Sequence, residues 1–194
     1  MRHSLLKKLA ISAVLLLPAS AFSSAFTFQA GALYGLRKVN DAKIKAAYKE
    51  GEVYYPFLEV QAWKGLSLGI GYEGGYGGTA LLGAYNSRAE LSVTGLEFLA
   101  GYECRIKRFG FFAKTGYGLY FYKQTVEDDF AKGFPVDHSQ STILFKGGLK
   151  IYPGKFLFLA FEVKYVPLKV KPYGEEVDLG GMRYLVGLGA SFDF

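Results

Sequence analysis

The sequence predicts an all-β fold, an eight-stranded antiparallel up-and-down transmembrane β-barrel with an N-terminal signal peptide. Three observations predict it. Eight segments alternate apolar residues with polar or small ones, the period of a strand. The composition sets 25 Gly, 15 Tyr and 17 Phe against 6 Pro, a mix that favours tightly packed β-structure over helices. The connections alternate between tight turns and long loops, which marks strands crossing a membrane and returning.

The first element is a targeting signal. Arg2, Lys7 and Lys8 form a basic start, Leu9 to Leu17 an apolar core, Pro18 ends it, and Ala19-Ser20-Ala21 is a small-residue cleavage site. Ser23-Ser24-Ala25 is a second such site. The division is therefore a signal peptide over 1–21, or to 25 at the second site, and a barrel domain over 22–194. The apolar run falls short of the roughly 20 residues that span a bilayer as a helix. Loss of Arg2, Lys7 and Lys8 lowers the formal net charge from +6 to +3, too mild to point to nucleic acid. Cys104 is the one cysteine, which excludes an internal disulfide and reads as a buried or lipid-facing small residue.

The strands follow in order. In 26–37, Phe26, Phe28, Ala30, Ala32, Tyr34 and Leu36 share one face. Thr27, Gln29, Gly31, Gly35 and Arg37 share the other. In 53–63, Tyr54, Leu58, Val60 and Ala62 oppose Glu59 and Gln61. In 65–73, Leu66, Leu68, Ile70 and Tyr72 oppose Ser67, Gly69, Gly71 and Glu73. In 91–104, Leu96, Phe98, Ala100 and Tyr102 oppose Glu97, Gly101 and Glu103. Leu91 and Val93 fall out of phase there, which calls for a bulge near Thr94-Gly95. In 109–122, Phe109, Phe111, Ala113, Tyr117, Leu119 and Phe121 oppose Lys114, Gly116 and Gly118. In 140–152, Ile143, Phe145, Leu149 and Ile151 oppose Thr142, Lys146, Gly148 and Lys150. In 156–166, Leu157, Leu159, Phe161, Val163 and Tyr165 oppose Glu162 and Lys164. In 181–194, Met182, Tyr184, Val186, Leu188, Ala190, Phe192 and Phe194 oppose Arg183, Gly187, Gly189, Ser191 and Asp193. Trp63 to Gly65, Arg105 to Arg108 and Pro153 to Lys155 are tight turns, on the periplasmic side. Residues 38–52, 74–90, 123–139 and 167–180 are long loops on the outer side. In the first, Asp41 caps a short helix over Ala42 to Glu50.

The glycines decide which face looks inward. A face turned to water would carry Lys, Glu and Thr, whereas this one is crowded with Gly. Gly weakens a strand unless space is short, and an eight-stranded lumen is only wide enough for side chains to fill. The apolar face has aromatics at its ends and aliphatics in its middle, matching the two interfaces of a bilayer. Strands in lipid must pair every backbone group, so the first and last strands should pair and close the ring.

Charges therefore face the lumen. Glu59, Glu97, Lys114, Lys146 and Glu162 fall near mid-depth. Glu73, Lys164, Arg183 and Arg37 lie above them, and Glu103, Lys150 and Asp193 below. Mixed charges at this depth must pair or be wetted, which predicts a salt-bridged plug, with a gate or narrow ion path as the competing role. No catalytic, cofactor or metal site is predicted. Asp137, His138 and Ser139 are sequence neighbours on a polar loop, not a triad. Glu127 to Asp129 offer oxygen ligands of the kind calcium takes, but a solvated acidic run carries more weight. Gly74 to Gly78 precedes no helix and so is no phosphate cradle. Lys38, Lys43, Lys45 and Lys49 on the first loop are placed to touch lipopolysaccharide phosphates, against the default of a solvated face.

The signal peptide, the eight strands and the terminal pattern Tyr184, Val186, Leu188, Ala190, Phe192, Phe194 resemble the small outer-membrane β-barrel superfamily, which includes the OmpA barrel domain, OmpX, Ail and OmpW. The resemblance implies location in a bacterial outer membrane, contact with outer-membrane lipid and lipopolysaccharide, and recognition of the C-terminal pattern by the barrel assembly machinery. It also implies a non-enzymatic protein whose loops contact surface or envelope partners. The alternatives it carries are a channel for small solutes or hydrophobic compounds, as proposed for OmpW-type barrels, and a lipid A-modifying enzyme. The last needs a His-x-Ser set that His138 and Ser139 do not match.

Overall fold

In a computed structural model, the structure describes residues 26–48, 51–62, 65–82, 87–127, 136–171 and 176–194. The signal segment, Lys49, Trp63, Lys64, Asp128 and Asp129 lie outside them. The strands are β1 (Thr27–Val39), β2 (Gly51–Ala62), β3 (Leu66–Leu82), β4 (Ser87–Ile106), β5 (Phe109–Glu127), β6 (Val136–Ile151), β7 (Leu157–Val166), β8 (Lys169–Val170), β9 (Val177–Asp178) and β10 (Gly181–Asp193). One helix, α1 (Ala42–Tyr48), follows β1. The Asp41 carboxylate caps α1, accepting from the Lys43 amide at 2.8 Å and the Ile44 amide at 3.2 Å.

Eight strands close a ring in the order β1-β10-β7-β6-β5-β4-β3-β2, and β8 and β9 form a separate hairpin. The first and last ring strands pair along their whole length, from Thr27 opposite Asp193 to Val39 opposite Gly181. Closure removes the free edges that lipid cannot satisfy. The expected outward residues are exposed or half-buried: Leu188 is 67% and Leu68 62% exposed, Tyr34, Tyr54, Tyr102, Phe109 and Phe145 stand on the same wall, and Phe28, Leu119, Leu149 and Leu159 are half-buried. Cys104 lies on it as well.

The wall is uneven in height. β1, β2, β7 and β10 have 10 to 13 residues, whereas β3 to β6 have 16 to 20. Much of 74–90 and 123–139, expected as loop, is therefore strand. The segment 167–180 contains the β8–β9 hairpin. The bulge expected near Thr94-Gly95 is absent: β4 runs in one register along β5 from Arg88 to Ile106. Leu91 and Val93 are buried inside the ring, in phase with Glu97. Above the membrane the outer face meets water and the inner face becomes an apolar core, so apolar residues change face without any slip. The irregularity lies on β3 instead, between Glu73 and Tyr76, where Gly75 has φ +90°. The glycines around it are strand, not loop.

Candidate functional site: the lumen

The lumen at bilayer depth holds two charge clusters and a pair between them. In the upper cluster Glu73 faces three cations: Lys164 at 2.5 Å, Arg183 at 3.2 Å and Arg37 at 3.7 Å. Lys164 also reaches Glu97 at 2.8 Å, and the Tyr120 hydroxyl donates to Glu97. The Arg183 Nη1 donates to the Gly181 carbonyl at 2.7 Å. Arg37 donates to the Leu179 carbonyl, tying this cluster to the segment above. Lys146 and Glu162 pair at 2.9 Å in the middle. In the lower cluster Lys150 bridges Glu103 at 2.5 Å and Glu59 at 3.7 Å and donates to Gln29. Lys114 pairs with Glu59. Tyr152 forms the floor: its hydroxyl donates to Glu103 at 2.6 Å and accepts from Gln29 at 3.2 Å.

The heights differ in part from those expected. Glu97 belongs to the upper cluster rather than to a mid-depth group, and Glu59 and Lys114 to the lower one. Asp193 lies at the exposed rim, where Thr27 donates to it at 2.7 Å, rather than in the lumen.

An aromatic column runs between the charges, and sequence reasoning missed it. Ring centres step from Tyr55 to Phe57 at 6.3 Å, to Phe158 at 6.3 Å and to Tyr152 at 5.6 Å. Lys164 and Lys146 lie over the Tyr55 ring at 4.1 and 4.8 Å, and Lys150 over Phe158 at 5.1 Å. Each large ring fits beside a glycine on a neighbouring strand. Phe57 sits opposite Gly31 and Gly71, Phe158 opposite Gly189, Phe112 opposite Gly148 and Tyr120 opposite Gly95. A Cβ at Gly31 would approach the Phe57 ring to 2.8 Å, and one at Gly71 would meet the Tyr55 hydroxyl. Gly31, Gly71, Gly95, Gly148 and Gly189 are thus the complement of inward aromatics, whereas Gly35, Gly101 and Gly187 lie against the backbone carbonyls of the next strand. The signal was legible: Phe57 shares the phase of Glu59, Phe112 that of Lys114, and Phe158 that of Glu162.

Above the clusters the interior turns apolar. Val39, Tyr48, Leu91, Val93, Tyr122, Leu168, Val170 and Leu179 are buried, with Ile44, Ala47 and Val177 packed against them. The α1 helix and the β8–β9 hairpin roof this core. Gln124 donates to the Tyr48 hydroxyl at 2.8 Å. On the hairpin, Lys169 and Glu176 pair at 2.6 Å; that hydrogen bond raises the pKa of Lys169 and lowers that of Glu176.

Asp137, His138 and Ser139 lie on β6, not in a loop. Consecutive strand residues point to opposite faces, so His138, whose ring centre is 5.8 Å from that of Tyr122, is turned away from both neighbours. Among the described residues no cluster of His, Cys, Asp or Glu is arranged to hold a metal. Of the cationic row expected to meet lipopolysaccharide, Lys43 and Lys45 are exposed on α1, and Lys38 lies 5.4 Å from the Tyr184 ring centre.

A closed eight-stranded ring with an apolar exterior and a packed polar lumen is a membrane barrel by its physics. Solved structures agree. OprG of Pseudomonas aeruginosa superposes with a TM-score of 0.62 at 11% identity, over 87% of this chain and 96% of its own. Ail of Yersinia pestis gives 0.54 at 12%, over 87% and 99%. The barrel domain of OprF from Pseudomonas aeruginosa gives 0.52 at 14%, over 87% and 98%. The fold is that of the small outer-membrane β-barrels. No family model matches the sequence, and no curated protein does. Identities this low carry the architecture and not a task. Such a barrel belongs in a bacterial outer membrane.

Proposed function

We propose that the protein is a non-enzymatic outer-membrane barrel with a plugged lumen, and that its outer end is the working surface. One observation carries this reading. Lys164, fully buried in the upper cluster, ties Glu97 to Glu73, and the Lys146–Glu162 pair and the lower cluster beneath it fill the ring with paired charge and aromatic rings. An open pore would leave these groups wet. The test is conductance of the purified protein in a planar bilayer. Silence is expected; a steady ohmic pore in the unmodified protein would sink the plug.

At the outer end Lys38, Lys43 and Lys45 stand above the aromatic girdle, where phosphates of lipopolysaccharide lie. A structure of Ail was solved with sucrose octasulfate, a heparin analogue, which makes a polyanion a sensible surface ligand to test. Co-sedimentation with lipopolysaccharide, compared between the parent and K38Q/K43Q/K45Q, checks it. The outward row Tyr184, Val186, Leu188, Ala190, Phe192 and Phe194 serves as the assembly signal, and Phe194→Ala should slow insertion by the barrel assembly machinery. Residues 1–21 are the export signal. Sequencing the mature N-terminus distinguishes cleavage after Ala21 from cleavage after Ala25.

The second reading, a path for hydrophobic compounds, is favoured by the apolar core beneath α1. Faster uptake of an apolar dye by liposomes carrying the protein would support it over the first.

A further inference from the structure

Four exposed cations occupy two neighbouring turns at the periplasmic end. Arg105, Lys107 and Arg108 lie at the β4–β5 turn and Lys155 at the β6–β7 turn. The Tyr152 amide donates to the Arg108 carbonyl at 2.8 Å, which holds the second turn against the first. Arg105 is not a loose side chain. Its guanidinium stacks 3.9 Å from the centre of the buried Tyr152 ring, and its Nε donates to the Lys107 carbonyl at 3.4 Å. Lys107 has φ 56°, a conformation that Asn or Gly adopts more readily, yet a cation stands there.

The described carboxylates at this end are engaged elsewhere. Glu103 is buried between Lys150 and Tyr152, and Asp193 accepts from Thr27. Directly beside the cations, on the lipid side, stand Ile106, Phe109, Phe156 and Leu157, between 47 and 62% exposed. Aromatic and basic residues at a barrel rim mark the headgroup layer. The two groups together give an amphipathic footprint: apolar surface for acyl chains, and cations at the depth of the phosphates.

We propose that this rim is a binding site for anionic phospholipid of the periplasmic leaflet. The charge complementarity selects an anionic headgroup over a zwitterionic one, and the flanking aromatics require the acyl chains as well. Attraction of this kind weakens as salt rises.

Native mass spectrometry of the full barrel, released from detergent with equimolar phosphatidylethanolamine, phosphatidylglycerol and cardiolipin, tests it. We expect the anionic lipids to be retained about tenfold over phosphatidylethanolamine. R105Q/K107N/R108Q/K155Q should bring the ratio near one, while R88Q at the opposite end of β4, where Arg88 pairs with Glu90, leaves it unchanged. K107N/R108Q/K155Q keeps Arg105 on its Tyr152 platform and should still lose most of the preference, so the test stands if the fourfold variant folds poorly. Equal retention of all three lipids by the parent protein would overturn the proposal. So would full preference in both rim variants, or displacement of the lipids by millimolar inorganic phosphate, which would indicate a free-anion site.

Discussion

A single strand, β4, passes through two environments that invert its chemistry. In its lower half Glu103 and Glu97 point inward while Tyr102, Phe98 and Leu96 point out. In its upper half Val93, Leu91 and Ala89 point inward while Ser92, Glu90 and Arg88 point out. The alternation never breaks; only the solvent outside changes. Hydrocarbon outside leaves the polar groups to satisfy one another within. Water outside restores the arrangement of a soluble protein, with an apolar interior. Facing direction is thus the invariant along a barrel strand, and polarity is not.

The comparison can be broken in several places. The largest effect is expected from Glu73→Ala. It removes the carboxylate that Lys164, Arg183 and Arg37 share and should cost about 3–5 kcal/mol in an unfolding titration in lipid. A cost below about 1 kcal/mol would show that ion pairs do not hold the lower half. Leu188→Arg places a charge on the lipid face and should cost about 2–4 kcal/mol, whereas Ser92→Arg, equally outward but above the bilayer, should cost less than about 0.5 kcal/mol. Equal costs would erase the boundary between the two environments. Gly71→Ala drives a methyl into Tyr55 and should cost about 1–3 kcal/mol. In a double-mutant cycle Tyr55→Ala should absorb most of that, and strict additivity would refute the ring-on-glycine fit. Asp41→Ala removes the α1 cap for about 1 kcal/mol, felt as faster amide exchange in α1 alone. Protection lost throughout the ring would mean the roof and the barrel are one cooperative unit.

Much of the architecture was readable because strand period and closure are local and physical. Strand number, the facing of Tyr34, Leu68 or Leu188, the pairing of β1 with β10 and the Asp41 cap all follow from alternation, turn chemistry and the ban on free edges. The upper ends of β3 to β6 were not readable, because glycine-rich and charged stretches at 74–90 and 123–139 look like loop until their cross-strand partners are known. Leu91 and Val93 misled for the reason given by β4: they were judged against lipid although their outer neighbours face water. In the lumen, the residue types named the participants but not their partners. Glu97 finds Lys164 rather than Lys146 because tilt and stagger bring different heights together. Tyr55, Phe57 and Phe158 were overlooked because apolar residues occupy both phases of their strands.

The unequal height of the wall has a consequence for how the molecule stands in a membrane. With about 3.4 Å per residue and a tilt near 40°, the 20 residues of β4 rise about 50 Å, whereas the 10 of β7 rise about 26 Å, little more than the apolar band itself. One flank of the molecule therefore stands clear of the membrane like a raised collar, while the other is cut off near the headgroups under its roof. Anything that approaches this end of the molecule meets the collar before the roof.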